Sequence, residues 1–123
     1  MKTTHAISVK AGAFAAALAV AGLGAHSASA DEAYDHAAQC AAVTAVMLSN
    51  LRAVPEPDTA KIELYDAANS AWIGKLAELA PDRDPGDRMG DVIAHQRPYN
   101  DDPDGAAKAA PVAEACVAEI KPS

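Results

Sequence analysis

Residues 58–80 read DTAKIELYDAANSAWIGKLAELA and carry the clearest helical period in this chain of 123 residues. Large side chains recur there at alternate spacings of three and four residues, which is the pattern of one buried helix face. The positions on this face are Ile62, Tyr65, Asn69, Trp72, Leu76 and Leu79. Asp58 as N-cap, or Pro57 at the first helical position, is expected to begin the helix. The stretch therefore predicts a helix that packs in a bundle.

Three breaks rich in proline and aspartate divide the chain after its first 30 residues into four segments. The breaks lie at 55–57, 81–86 and 97–105. The other segments, all helical in composition, are 32–54, 85–96 and 106–120. No alternation of period two is long enough for a strand. The sequence therefore predicts an all-α fold, a small three- or four-helix bundle.

The third segment is expected to form the least stable helix, and the fourth to be interrupted. Asp84 and Pro85 provide a good start for the third, but Gly86 and Gly90 lower its helix propensity. Its thin apolar edge consists of Met89, Val92, Ile93 and Gln96. In the fourth segment, Pro111 is expected to interrupt the helix and begin a second one, because proline is disfavoured in a helix interior.

The first 30 residues have the pattern of a secretory signal peptide. Lys2 and Lys10 precede the apolar run 11–25, and Ala28-Ser29-Ala30 follows as a cleavage site,. The run is about 15 residues long, shorter than the roughly 20 that a spanning helix needs, and an uncleaved anchor is the alternative. We expect cleavage after Ala30 and a single helical domain over 31–123, periplasmic or secreted and not inserted in a membrane.

The chain has two cysteines, Cys40 and Cys116, one near each end of the predicted domain. An oxidising compartment favours a disulfide between them, which would link the first and last helices. A closed loop of about 77 residues corresponds to roughly 4.5 kcal/mol in the chain-entropy model, and 2 to 4 kcal/mol is usual. Free thiols and an intermolecular bridge are the alternatives.

The chain is acidic, with 17 Asp and Glu against 10 Lys and Arg and a formal charge of −7. Loss of Lys2 and Lys10 with the signal leaves 17 against 8, a charge of −9. Nucleic acids and anionic membranes are recognised by clustered basic residues, so neither is expected as a partner. The expected partner is another envelope or secreted protein.

Two weak metal-binding patterns occur in the sequence. Four residues match positions one, three, five and six of a calcium loop, namely Asn100, Asp102, Asp104 and Gly105. The match fails at position twelve, where Pro111 replaces the bidentate Glu, so the alternative is a solvated turn in which Asp104 caps the next helix. His36 lies one turn before Cys40, but this thiol is expected to be in the disulfide. We therefore expect no metal or other cofactor.

No motif indicates catalysis, because the chain lacks both a Gly-x-Ser-x-Gly turn and a Cys-x-x-Cys pair,. We expect a non-catalytic interaction module, with Trp72, Tyr65 and Asn69 or the third helix as candidate contact regions. A core anchor is the alternative role for Trp72. In size, compartment, helicity and single disulfide the chain resembles the periplasmic acid-stress chaperones, which implies such a holdase as an alternative function. Weak metal or small-ligand binding is a third.

Overall fold

Four helices form the part of the chain that the structure, a computed structural model, describes, which is residues 30–120. They are α1 (30–53), α2 (Thr59–Leu79), α3 (Pro85–Asn100) and α4 (Gly105–Ile120). Residues 30–120 contain no strand, and the all-α prediction is confirmed. None of these helices combines the length and apolar character needed to cross a membrane. The signal-peptide prediction concerns residues 1–30, of which 1–29 lie outside the described residues.

From Ala33 onward, helix α1 belongs to one compact unit with the other three helices, and it supplies much of the buried core of that unit. Residues 40–44 are all buried, and five successive residues cover every side of a helix,. Alanine makes up much of the buried stretch, and its small side chain lets neighbouring helices approach closely. The composition of α1 thus explains why the other three helices can pack around it.

Helix α2 has the N-terminus and the buried face that the sequence predicts. The Asp58 carboxylate accepts a hydrogen bond from the Lys61 N–H at 3.1 Å, so Asp58 is the N-cap,. The buried residues of this helix are Tyr65, Ala68, Trp72 and Leu76. Leu79 was expected on the same face, but it is exposed because it is the last residue of the helix.

Two predicted helix breaks are wrong, because α3 continues through Pro98 and α4 continues through Pro111. A proline inside a helix removes the N–H that would bond to the carbonyl four residues earlier. Those carbonyls belong to Ala94 and Ala107, which are exposed residues, as are both prolines. Water can therefore satisfy the carbonyls that lose their partner, and each helix continues.

The turn between α3 and α4 brings two backbone segments into close contact at Gly105. The Gly105 N–H donates to the Asp102 carbonyl at 2.9 Å. A Cβ atom at this buried position would lie 1.7 Å from the carbonyl oxygen of Tyr99. Glycine is therefore required here for the close approach of the chain.

Candidate functional site

The disulfide joins Cys40 on α1 to Cys116 on α4, with an Sγ–Sγ distance of 2.06 Å and a Cα–Cα distance of 5.5 Å. Both cysteines are buried. The predicted link between the first and last helices is confirmed. Because this bond fixes the register of α1 against α4, it also determines which side chains lie beside the two sulfurs.

A histidine and a glutamate lie beside the disulfide. His36 Nε2 is 3.6 Å from Cys40 Sγ, and 2.9 and 3.1 Å from the two carboxylate oxygens of Glu119. His36 precedes Cys40 by four residues and Glu119 follows Cys116 by three, so each pair shares one helix face. The side chains of His36 and Glu119 are 52% and 49% exposed. We call these four residues the sulfur cluster.

Trp72 supports the sulfur cluster from α2. Its indole N–H donates to the Cys116 carbonyl at 3.0 Å, and its ring meets the His36 ring edge-on with centroids 5.5 Å apart. The residue is only 6% exposed. Of the two roles that the sequence left open for Trp72, its burial and hydrogen bond therefore favour the core anchor over the contact residue.

Tyr65 and Asn69, the other candidate contact residues on α2, also face inward. Tyr65 is buried, and this burial, together with the nearby Glu114 carboxylate, raises the pKa of its phenol,. The Asn69 amide donates to the Ala41 carbonyl at 2.8 Å and to the Thr44 hydroxyl at 3.1 Å. The polar position on the apolar face of α2 thus joins α2 to α1, and neither residue offers a free contact surface.

A polar junction connects α3 to α1. The Tyr34 hydroxyl donates to the Asp91 carboxylate at 2.5 Å, and Arg83 donates two hydrogen bonds to it at 2.7 and 3.0 Å. His95 Nε2 lies 3.1 Å from an oxygen of Asp35. The hydrogen bonds from Arg83, followed by the one from Tyr34, hold the pKa of Asp91 below its usual value,. These five residues are called the polar junction below.

Helix α3 has a small apolar contact with the rest of the bundle. Val92 is its one buried residue, at 2% exposure. Met89 and Ile93, one turn apart on the same helix, are 42% and 45% exposed. Helix α3 therefore contacts the bundle through Val92, the partly buried Tyr99 and the polar junction, and it presents two large apolar side chains to solvent.

The calcium-like residues form a turn stabilised by a lysine. The Asp102 carboxylate accepts hydrogen bonds from Lys108 Nζ at 2.5 Å and from the Asp104 N–H at 2.8 Å. The Lys108 ammonium is also the main cause of a lowered Asp102 pKa. Asn100 is the last residue of α3. Lys108 thus occupies the position that a bound cation would need at Asp102.

Within residues 30–120, a group of three or more His, Cys, Asp or Glu side chains close enough to share an ion occurs at His36, Cys40 and Glu119. Sequence reasoning identified His36 and Cys40 but missed Glu119. Its spacing of three residues from Cys116 on one helix is the signal that would have indicated it.

Comparisons with known proteins give no functional information on this chain, so any functional conclusion rests on the contacts described above. No protein-family model matches the chain, and no curated protein or solved structure matches it.

Proposed function

We propose that this chain is an exported, non-catalytic binding module of the cell envelope that contacts another protein through Met89 and Ile93 on α3. Export is supported by the order of basic, apolar and small residues over 1–30 and by the disulfide, which is typical of oxidising compartments,. The observation that carries the contact surface is the exposure of two large apolar side chains on a helix with one buried residue.

The α3 surface is suited to an apolar segment of a polypeptide. Met89 and Ile93 lie four residues apart, so both can insert into one partner groove or cover one apolar helix face. Methionine adapts its shape readily to such partners. The acidic charge of the chain, −7 over its full length, favours a partner segment flanked by basic residues through electrostatic steering,.

Replacing both residues, Met89→Ser with Ile93→Ser, is expected to weaken capture of this partner from envelope extract by at least tenfold. Two apolar anchors of this size account for more than the 1.4 kcal/mol that corresponds to a tenfold change. The measurement is the amount of partner retained by immobilised protein, followed by titration of the purified partner.

Leu64→Ser is the matched control, because Leu64 is 40% exposed but lies on α2. It should leave capture unchanged, and all variants should keep the wild-type circular dichroism spectrum. A double variant that retains full capture would show that α3 is not the contact surface.

An acid-activated holdase is the second candidate function, and the polar junction favours it. Asp91 is faced by Tyr34 from α1, by Arg83 from the loop before α3, and by His95 from α3 itself. Its folded pKa lies below its usual value, so its stabilising effect is complete above about pH 4 and is lost as the pH falls through the folded value,. Release of α3 below the folded pKa of Asp91 would expose Val92 together with Met89 and Ile93.

The variant Asp91→Asn is expected to accelerate amide exchange in α3 at pH 7, and its difference from the wild type should shrink as the pH falls through the folded pKa of Asp91. The reason is that protonation removes from the wild type the same negative charge that the substitution removes,. Hydrogen exchange followed by mass spectrometry, compared at each pH as the ratio of variant to wild-type rates, measures this directly.

Asp87→Asn is the control, since Asp87 lies on the same helix outside the polar junction; it loses only the contribution of a first-turn carboxylate, so its ratio at pH 7 should be smaller than that of Asp91→Asn,. A ratio for Asp91→Asn that does not change with pH would contradict the role of this carboxylate. The holdase function itself requires that the protein suppress aggregation of an unfolded client below pH 4. Absence of such protection would exclude it.

A further inference from the structure

We infer that reduction of the disulfide converts the sulfur cluster into a Zn²⁺ site with Cys40, Cys116, His36 and Glu119 as its four ligands. The inference rests on donors at the junction of α1 and α4 and does not depend on the proposed contact surface of α3. Zn²⁺ in proteins is held by thiolate, imidazole and carboxylate donors in a tetrahedral arrangement. The sulfur cluster contains all three kinds of donor.

Each of two neighbouring helices supplies two donors to the site. His36 and Cys40 come from α1 with a spacing of four, and Cys116 and Glu119 come from α4 with a spacing of three. Metal sites in helical bundles use the same arrangement, with pairs of donors one turn apart on facing helices. The packing that brings the two sulfurs together therefore also brings the imidazole and the carboxylate to them.

The distances between the donors fit one ion. Bonds of about 2.0–2.3 Å to a tetrahedral Zn²⁺ place its ligand atoms roughly 3.3–3.8 Å from one another. His36 Nε2 is already 3.6 Å from Cys40 Sγ, and the nearest oxygen of Glu119 is 2.9 Å from the same nitrogen. The donor atoms of His36, Cys40 and Glu119 all lie within 4.8 Å of one another. To complete the site, reduction must let the two sulfurs move apart from 2.06 Å to about 3.8 Å, the separation of two thiolates on a tetrahedral Zn²⁺,.

Burial of the cluster is asymmetric, which gives the ion a route of entry. The two cysteines are buried, whereas His36 and Glu119 are half-exposed. Zn²⁺ can therefore reach the imidazole and carboxylate from solvent and then bind the sulfurs beneath them. Two thiolates and an imidazole favour Zn²⁺ over Ca²⁺ or Mg²⁺, which prefer oxygen ligands.

The chemistry balances with a dithiol as the reductant. The dithiol gives two electrons and two protons to the Cys40–Cys116 bond, which breaks to form two thiols, and the reductant becomes a disulfide. Zn²⁺ then replaces the two thiol protons, which are released to solvent, while His36 binds as the neutral imidazole. Glu119 binds through a carboxylate oxygen. The disulfide and the metal are thus alternative links between α1 and α4.

The test uses the full chain that remains after export, reduced with dithiothreitol in urea, freed of both by anaerobic desalting, and titrated with Zn²⁺. We expect one Zn²⁺ per chain, a rise in melting temperature on binding, and no comparable binding by the oxidised protein. Co²⁺ in place of Zn²⁺ should give the visible spectrum of a tetrahedral thiolate complex.

Matched variants separate the four-donor site from binding by the thiols alone. His36→Gln and Glu119→Gln should each weaken Zn²⁺ binding at least tenfold. The controls are His95→Gln and Glu114→Gln, which make the same substitutions outside the sulfur cluster and should leave Zn²⁺ binding unchanged. Reduced wild type that binds no more tightly than the double variant Cys40→Ser with Cys116→Ser would overturn the inference. Equal affinity of His36→Gln and His95→Gln would also overturn it.

Discussion

Replacing Trp72 by alanine is expected to lower the free energy of unfolding by about 3–5 kcal/mol. The indole is almost fully buried, and its removal leaves a cavity between α2 and the helices that the disulfide joins. The substitution also removes the hydrogen bond from the indole N–H to the Cys116 carbonyl, which contributes roughly 1 kcal/mol,. Typical domains have a total free energy of unfolding of about 5–15 kcal/mol, so this loss is a large share of it.

Trp72→Phe separates the two contributions of the indole. Phenylalanine keeps most of the apolar contact with the core, but it cannot donate to the Cys116 carbonyl, so a smaller loss of about 1–3 kcal/mol is expected. Leu64→Ala on the exposed side of the same helix should change stability by less than about 0.5 kcal/mol. Urea unfolding followed by far-ultraviolet circular dichroism measures all three. A loss below 1 kcal/mol for Trp72→Ala would contradict its role as the anchor.

Local signals account for the features that the sequence predicted correctly. Helix α2 was expected over 58–80 and occupies Thr59–Leu79, because its cap at Asp58 and its apolar period are both properties of adjacent residues. The start of α3 was predictable for the same reason, because the Asp84 cap and Pro85 are adjacent in the sequence. The disulfide was predictable because the chain offers one pair of cysteines.

The features that the sequence did not reveal depend on tertiary surroundings. Pro98 and Pro111 are tolerated because Ala94 and Ala107 face water, and exposure is known only after the helices have packed. Whether Trp72 serves a partner or the core depends in the same way on the neighbours of α2. No local pattern distinguishes these outcomes.

The candidate site was predicted only in part, for the same physical reason. His36 and Cys40 share one helix and were identified together, but Glu119 joins them only through the register of α4 against α1. The polar junction likewise combines residues from α1, α3 and the loop before α3. The contact of Tyr34 with Asp91, 57 positions apart, has no signature in the sequence of a single chain, whereas Glu119 could be placed beside His36 only through the predicted disulfide and its spacing from Cys116.

Breaking the disulfide is expected to destabilise the protein by about 2–4 kcal/mol when metal is excluded. The bond closes a loop between residues 76 positions apart, so its loss increases the conformational freedom of the unfolded chain. The comparison is between oxidised wild type and the variant Cys40→Ala with Cys116→Ala, both unfolded with urea in the presence of a chelator. Alanine leaves no polar group at the two buried positions.

A comparison with and without chelator distinguishes the effect of the covalent bond from the effect of the two sulfur atoms. Reduced wild type and the double alanine variant should be similarly unstable with chelator present, because neither has a covalent link between α1 and α4. On addition of Zn²⁺, reduced wild type should regain stability and the alanine variant should not, since only the former has the two thiols beside His36 and Glu119. Equal stability of oxidised wild type and the alanine variant would show that α1 and α4 pack without the bond, and the disulfide would then have no structural role.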